Sequence, residues 1–363
     1  MNRKAFGILL AVACVFVVLA IIGQGPSDTR QVAGDSAGTL LFANLTGDLE
    51  SIDEILVDAA GRERLVTLER PAGRWTVAEL DGYEAERSSV NGLLIALAEA
   101  RIAEEKTADP AFHSRLGVEA IDDTEAGGVE LTLVAGDGDR YSVVLGDDYG
   151  GGQRYARLTN ADLSVLIDRD PEVPEDPSDW VAAEIIDISA DRVQRVEISH
   201  ADGDRVAIAK PARDETNFTV EGIPEGRELQ YAGVANATGS LLQGLRLDAV
   251  RRRSDEPGEP GTTTEFSTFD GLVVTATATG GQDDEDGWLA FSARFDAEQA
   301  LAFATEPVTE PIADADDDVA TDAMAEAEAI NARLADWQYR IPTYQFSQLT
   351  RRIEDLLRPD DDE

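Results

Sequence analysis

Cysteine, histidine and lysine are nearly missing from this sequence, and each shortage closes off a class of chemistry. Cys14 is the single cysteine and lies in an apolar run near the start, so the rest of the chain has no disulfide and no thiolate metal site. Stability must come from burial. His113 and His200 are the histidines, and neither has a second histidine or a cysteine at metal-ligand spacing. Lys4, Lys106 and Lys210 are the lysines, so arginine supplies most of the positive charge. Positive charge is itself scarce: 31 Lys+Arg stand against 72 Asp+Glu, a formal net charge of −41. A field of that sign repels phosphate backbones and anionic lipid, which argues against a nucleic acid partner. No Gly-x-Ser-x-Gly elbow, His-Glu-x-x-His, phosphate loop or Ser-x-x-Lys is expected. No catalytic, cofactor-binding or metal-binding residue is therefore assigned.

Weaker patterns have plain explanations. Asp314, Asp316, Asp317 and Asp318 lack the glycine and ligand spacing of a calcium loop. Gly146 to Gly152 sits between two strand-like runs instead of opening a helix, so it predicts a hairpin and not a phosphate cradle. Arg251-Arg252-Arg253 leads into Ser254-Asp255-Glu256, which suits local neutralisation, with lipid headgroups or an acidic partner as the alternative.

What the chain does have begins at its start. Residues 5–22 are apolar behind Asn2-Arg3-Lys4. A helix of that length spans roughly 27 Å, close to the ~30 Å of a bilayer core, and the basic start would stay in the cytoplasm. Three readings are open: an uncleaved single-pass anchor, a signal cleaved after Val18-Leu19-Ala20, or a lipoprotein modified at Cys14. The first is favoured, because no polar region precedes the cleavage motif and apolar residues follow Cys14. All three place the bulk of the chain in the periplasm of a bacterial inner membrane.

The remainder carries an internal repeat at an offset of about 140 residues. The first copy runs Ile55-Leu56-Val57, Leu65-Val66-Thr67-Leu68 and Trp75-Thr76-Val77. The second runs Val196-Glu197-Ile198, Val206-Ala207-Ile208 and Phe218-Thr219-Val220. Gly or Pro separates these alternating runs, as antiparallel hairpins require. A helix is expected next in each copy, from Val90, Leu93, Leu94, Leu97 and Ala98 with a Ser88 or Ser89 N-cap, and from Val234, Ala237, Leu241, Leu242 and Leu245. Strands at 129–134 and 141–145, and at 272–279 and 288–295, close the units. The expected class is α+β: an N-terminal transmembrane helix, then two repeated units, each an antiparallel sheet with one main packed helix, plus C-terminal helices. The divisions are 1–23 start and anchor, 24–44 polar stalk, 45–170 first unit, and 171–183 stiff Pro-rich linker. Then come 184–304 second unit, 305–322 acidic disordered linker, and 323–363 C-terminal helices with an acidic tail.

With this layout the chain resembles the bacterial domain-of-unknown-function family 4340. The residues that carry the resemblance begin with Leu40-Leu41-Phe42-Ala43-Asn44-Leu45 ahead of Ile52 and Ile55, then Trp75-Thr76-Val77 and Leu116-Gly117-Val118. They continue with Trp180 before Ile185-Ile186, the block from Arg333 to Pro342, and Glu354-Asp355-Leu356-Leu357. The resemblance spans Leu40 to Leu357, although 307–322 and 254–264 are longer than the pattern needs. It implies an envelope protein without assigned catalysis, a companion of gliding-motility-type ABC transporter auxiliary proteins, with inner-membrane proteins such as a permease as partners. It supplies no catalytic residues.

The expectation is thus an accessory or interaction subunit of an ABC-type transport or envelope assembly. The alternative is a carbohydrate- or lipid-binding module using the groove between the repeats, and the third reading an Asp/Glu-dependent envelope hydrolase. Trp337, Tyr339 and Tyr344 around Pro342 are the candidate partner contact, because exposed aromatics anchor interfaces. The competing reading places them in a repeat core.

Overall fold

The computed structural model describes residues 36–254, 261–279, 287–303 and 316–359, with the backbone alone for 316–321. The expected anchor and most of the stalk lie outside the described residues. Among those described, no helix is long and apolar enough to cross a membrane. The α+β class headed by a transmembrane helix is therefore corrected to an architecture made mostly of antiparallel sheet.

The first unit contains β1 (Ile52–Ala59), β2 (Glu63–Glu69), β3 (Thr76–Val77), β4 (Tyr83–Glu84) and β5 (Ile102–Glu105). It continues with β6 (Val129–Ala135), β7 (Arg140–Asp148), β8 (Arg154–Leu158) and β9 (Ser164–Ile167). They form one sheet in the order β4-β3-β2-β1-β6-β7-β8-β9-β5. Period-two alternation sends one side chain in two to the same face, so Val57 opposes Leu131 and Leu131 opposes Val143, all fully buried. Helix α1 (Leu45–Asp48) and helix α2 (Arg87–Glu99) add to this unit. Val90, Leu93, Leu94, Leu97 and Ala98 are buried along α2, and Glu86 rather than a serine caps it by accepting from the Ser88 N–H.

The second unit has β10 (Glu184–Ile186), β11 (Val193–Ser199), β12 (Arg205–Ala209), β13 (Thr219–Val220), β14 (Leu245–Arg246) and β15 (Ala249–Arg252). It ends with β16 (Thr263–Thr268), β17 (Leu272–Thr279), β18 (Trp288–Phe295) and β19 (Trp337–Arg340). Its large sheet runs β13-β12-β11-β16-β17-β18-β19-β15, and β10 pairs with β14 apart from it. Setting β11 on β1 places β12 on β2, β13 on β3, β16 to β19 on β6 to β9, and β15 on β5. The strand order is the same, with β4 unmatched.

Several expectations need correction. The second unit's main helix is reduced to one turn, α3 (Asn236–Gly239), because Gly233, Gly239 and Gly244 each disfavour helix by about 1 kcal/mol relative to alanine. Gly239 is also packed so closely that a Cβ there would lie 2.2 Å from the Phe218 ring. After the six-residue α4 (Ala297–Ala302), the covering role passes to α5 (Asp316–Leu334), inserted between β18 and β19. This helix begins inside the stretch expected to be a disordered linker, and Ala323, Ala327, Ile330 and Leu334 are buried along it. Helix α5 stops at Leu334, and Trp337, inside the stretch expected to be helical, opens a strand instead. The rest of the expected C-terminal helices is reduced to α6 (Thr343–Leu349) and a single 3-10 turn, Ile353–Leu356.

The proline-rich linker is corrected as well: it is a packed connection and not a spacer. Trp180 is fully buried and its indole N–H donates to the Pro174 carbonyl at 2.8 Å. Val181 bridges Ala85, and the Leu247 N–H reaches the Ala183 carbonyl, so the linker touches both units in turn.

Candidate functional site

Helix α2 turns two faces to different surroundings. Its leucines enter the core, while Ser88, Gly92 and Ala96 recur every four residues and so form a row of small side chains on a more exposed flank. Facing this flank are Arg154 at the start of β8 and the stretch from Asp170 to Trp180. Together they enclose a cleft of about 1170 Å³, with Leu93 and Val129 in its lining. The walls are tied at one end, where the Glu86 N–H donates to the Trp180 carbonyl at 2.6 Å. Asp176 stiffens the linker wall by accepting from the N–H and hydroxyl of Ser178 at 2.8 and 2.6 Å, and those bonds hold its carboxyl below the usual range.

The charge in the cleft is lopsided. Arg154 is paired with Asp170, Nε to Oδ1 at 2.6 Å. Glu172, Glu175 and Asp179 also line the cleft, and among the described residues no cation pairs with them. The Ser88 hydroxyl is committed to Glu86 at 2.9 Å. The lining contains no imidazole, so no serine there has a histidine base, and among the described residues no cluster of His, Cys, Asp or Glu is arranged to hold a metal. What the arrangement offers is a recess with stiff walls, apolar at its base and acidic at its rim.

The three aromatic candidates separate. Tyr339 is fully buried, Trp337 half-buried and Tyr344 exposed at 68%. Trp337 and Tyr339 meet the first unit: Tyr83 stacks edge-on to both, with centroids at 4.9 and 6.2 Å. Burial pushes both phenols above the usual tyrosine range, Tyr339 furthest. These residues do bind a partner surface, but that surface is the other half of the same chain. This cluster packs where the two repeats meet.

Both histidines are buried and bonded to backbone. His113 Nε2 lies 2.9 Å from the Asp162 carbonyl, and His200 Nε2 lies 3.2 Å from that of Arg351. Arg251 stacks on Trp288 at 4.0 Å and bonds Gln338, while Arg252 stacks on Trp337 at 4.8 Å. The spacing Gly-x-Ser-x-Gly does occur at 34–38. Ser36 there donates to Glu105, and the residues after it run along the β5 edge instead of entering a helix. Sequence reasoning missed the cleft. Its signals were the every-fourth small residue in α2 and the repeated acids from 170 to 179.

The cleft residues from Ser88 to Trp180 all fall within the match to a known family model, Domain of unknown function (DUF4340), over residues 75–263. That match takes in just over half of the 363 residues. The chain belongs to the DUF4340 family. No curated protein and no solved structure matches it. The family match includes β3 to β15 and ends at the first residue of β16, so it spans the linker that joins the units. Trp337, Tyr339 and Tyr344 lie beyond it.

Proposed function

We propose that this DUF4340 protein is an interaction subunit of an ABC-type transport or envelope assembly, working by binding and without catalysis of its own. The observation that carries this reading is the cleft: a large recess, apolar at its base and acidic at its rim. The apolar run at 5–22 behind a basic start supports an envelope location. The partners implied are inner-membrane proteins, a permease and an auxiliary subunit among them.

A glycan- or lipid-binding module is disfavoured by two features. The units meet through the packed rings of Tyr83, Trp337 and Tyr339, and Trp180 in the cleft lining is fully buried and offers no stacking platform. The test is co-purification of the full chain from native membranes with crosslinking from position 96. Permease or auxiliary subunits crosslinked there, and lost on Ala96→Trp, are the expected result. Turnover of an envelope polymer abolished by Asp170→Asn in a folded protein would overturn it in favour of a hydrolase.

A further inference from the structure

We propose that the cleft between α2 and the linker takes a segment of a partner protein that presents arginine or lysine side chains. The proposal rests on the interaction role above and adds the chemistry of the partner. Three observations combine. The volume, about 1170 Å³, exceeds the ~300–1,000 Å³ usual for small-molecule pockets, so it suits a stretch of polymer. The rim acids outnumber the cations: Asp170 is already neutralised by Arg154, while Glu172, Glu175 and Asp179 have no paired cation. Like charges gathered on one wall repel each other, and a cation seated among them removes that repulsion while gaining its own pairing. Finally, the opposite wall is open at backbone level, since a Cβ at Gly92 would meet nothing within 4 Å. The Ser88-Gly92-Ala96 row therefore lets an incoming chain approach the helix closely, with Leu93 and Val129 beneath it for apolar contact.

A chain of charge −41 attracts basic peptides everywhere, so the test must separate the cleft from the general field. The probe is a fluorescein-labelled peptide of alternating arginine and alanine, titrated by anisotropy into the full chain, with a glutamate–alanine peptide as control. Gly92→Trp fills the cleft without altering charge. It is expected to weaken the arginine peptide by at least about tenfold, while Gly92→Ala keeps full affinity. Glu172→Gln/Glu175→Gln/Asp179→Asn, placed on the rim and not in the core, is expected to lose a similar factor, and carries the test if Gly92→Trp fails to fold. Binding should also weaken steeply with salt, as the screening length falls from about 8 Å at 0.15 M to about 3 Å at 1 M.

Equal affinity in wild type and Gly92→Trp would assign the peptide to the acidic surface at large and overturn the proposal. So would a glycan or an anionic lipid vesicle that binds in place of the peptide and is excluded by Gly92→Trp. Loss of transporter subunits from Gly92→Trp preparations, with no peptide binding in wild type, would leave the interaction role standing and remove the basic occupant alone.

Discussion

The two halves of the molecule share a strand order and differ in what covers it. In the first, one regular helix, α2, lies over the sheet and leaves a cleft along its flank. In the second, the corresponding segment is broken into turns, and α5, α6 and the last residues fill in. The C-terminal segment is stitched down firmly: Thr264 donates to the Leu349 carbonyl at 2.6 Å, Arg351 to that of Val234 at 2.9 Å, and Arg352 pairs with Asp202 and Asp204. Beneath it, the space lined by Val196, Ile198, Val206, Ile208, Arg351 and Leu356 has no room for water. The recess beside α2 stays open, whereas the face of β11 and β12 is sealed by the C-terminal segment. A duplicated sheet can thus carry an open recess in one copy and a sealed cover in the other.

The sharpest way to break this comparison is through the aromatic contact that joins the halves. Tyr339→Ala should cost about 3–5 kcal/mol, as for other large buried rings. Because Tyr339 packs on Tyr83, chemical denaturation should show both units losing stability together. Independent transitions in the wild-type chain would refute that coupling.

Asn331 tests the substitute cover of the second unit. Its side-chain amide accepts from the Ala293 N–H at 2.8 Å and donates to the Ala293 carbonyl at 2.7 Å, standing in for a strand neighbour on β18. Asn331→Ala should destabilise by about 1 kcal/mol, the cost of leaving half-buried backbone groups without their partner. Hydrogen exchange at Ala293 should rise with it.

A matched pair of glycines sharpens the contrast with opposite signs. Gly92→Ala should stabilise the first unit by up to about 1 kcal/mol, since the position is helical and open. Gly239→Ala should destabilise the second by about 1–3 kcal/mol, because its new methyl group meets the Phe218 ring. Thermal melts of the two variants decide this, and shifts of the same sign would contradict the structure.

The smallest effect is a pH dependence confined to the first unit. Tyr141 donates to Asp48, and that bond with the nearby carboxylates holds the phenol up at about 12. A folded value above the unfolded one of 10.0 means the stability it adds is complete below about pH 10 and is lost as pH rises through about 12. Ultraviolet titration of wild type against Tyr141→Phe should show one late-ionising phenol missing from the variant.

Much of the sheet was legible because alternation is a local signal. Leu272–Thr279 and Trp288–Phe295 were read to the residue, and the α2 stripe named each of the side chains buried on that helix. The stripe from Val234 to Leu245 misled because apolar spacing survives where the backbone is not helical: Leu241, Leu242 and Leu245 are buried from turns and a short strand. Trp337 followed an alanine-rich run, and only its pairing with Arg252, far back in the chain, makes it a strand. Proline spacing suggested a rigid spacer, whereas one tryptophan decides that the segment packs. The cleft was hidden for a related reason. It is composed of residues from 88 to 180 that no short pattern connects.

The pairing of β15 with β19 also sets an order of events as the chain is made. Residues 249–252 wait for 337–340, while the first sheet is complete once Ile167 has emerged. A chain delivered from its N-terminus can therefore finish one half early, with the cleft wall following at Trp180. Its other half remains an open-edged template until nearly the last residue is out. Interrupted synthesis should consequently yield fragments with a finished first sheet that are prone to associate through that unfinished edge.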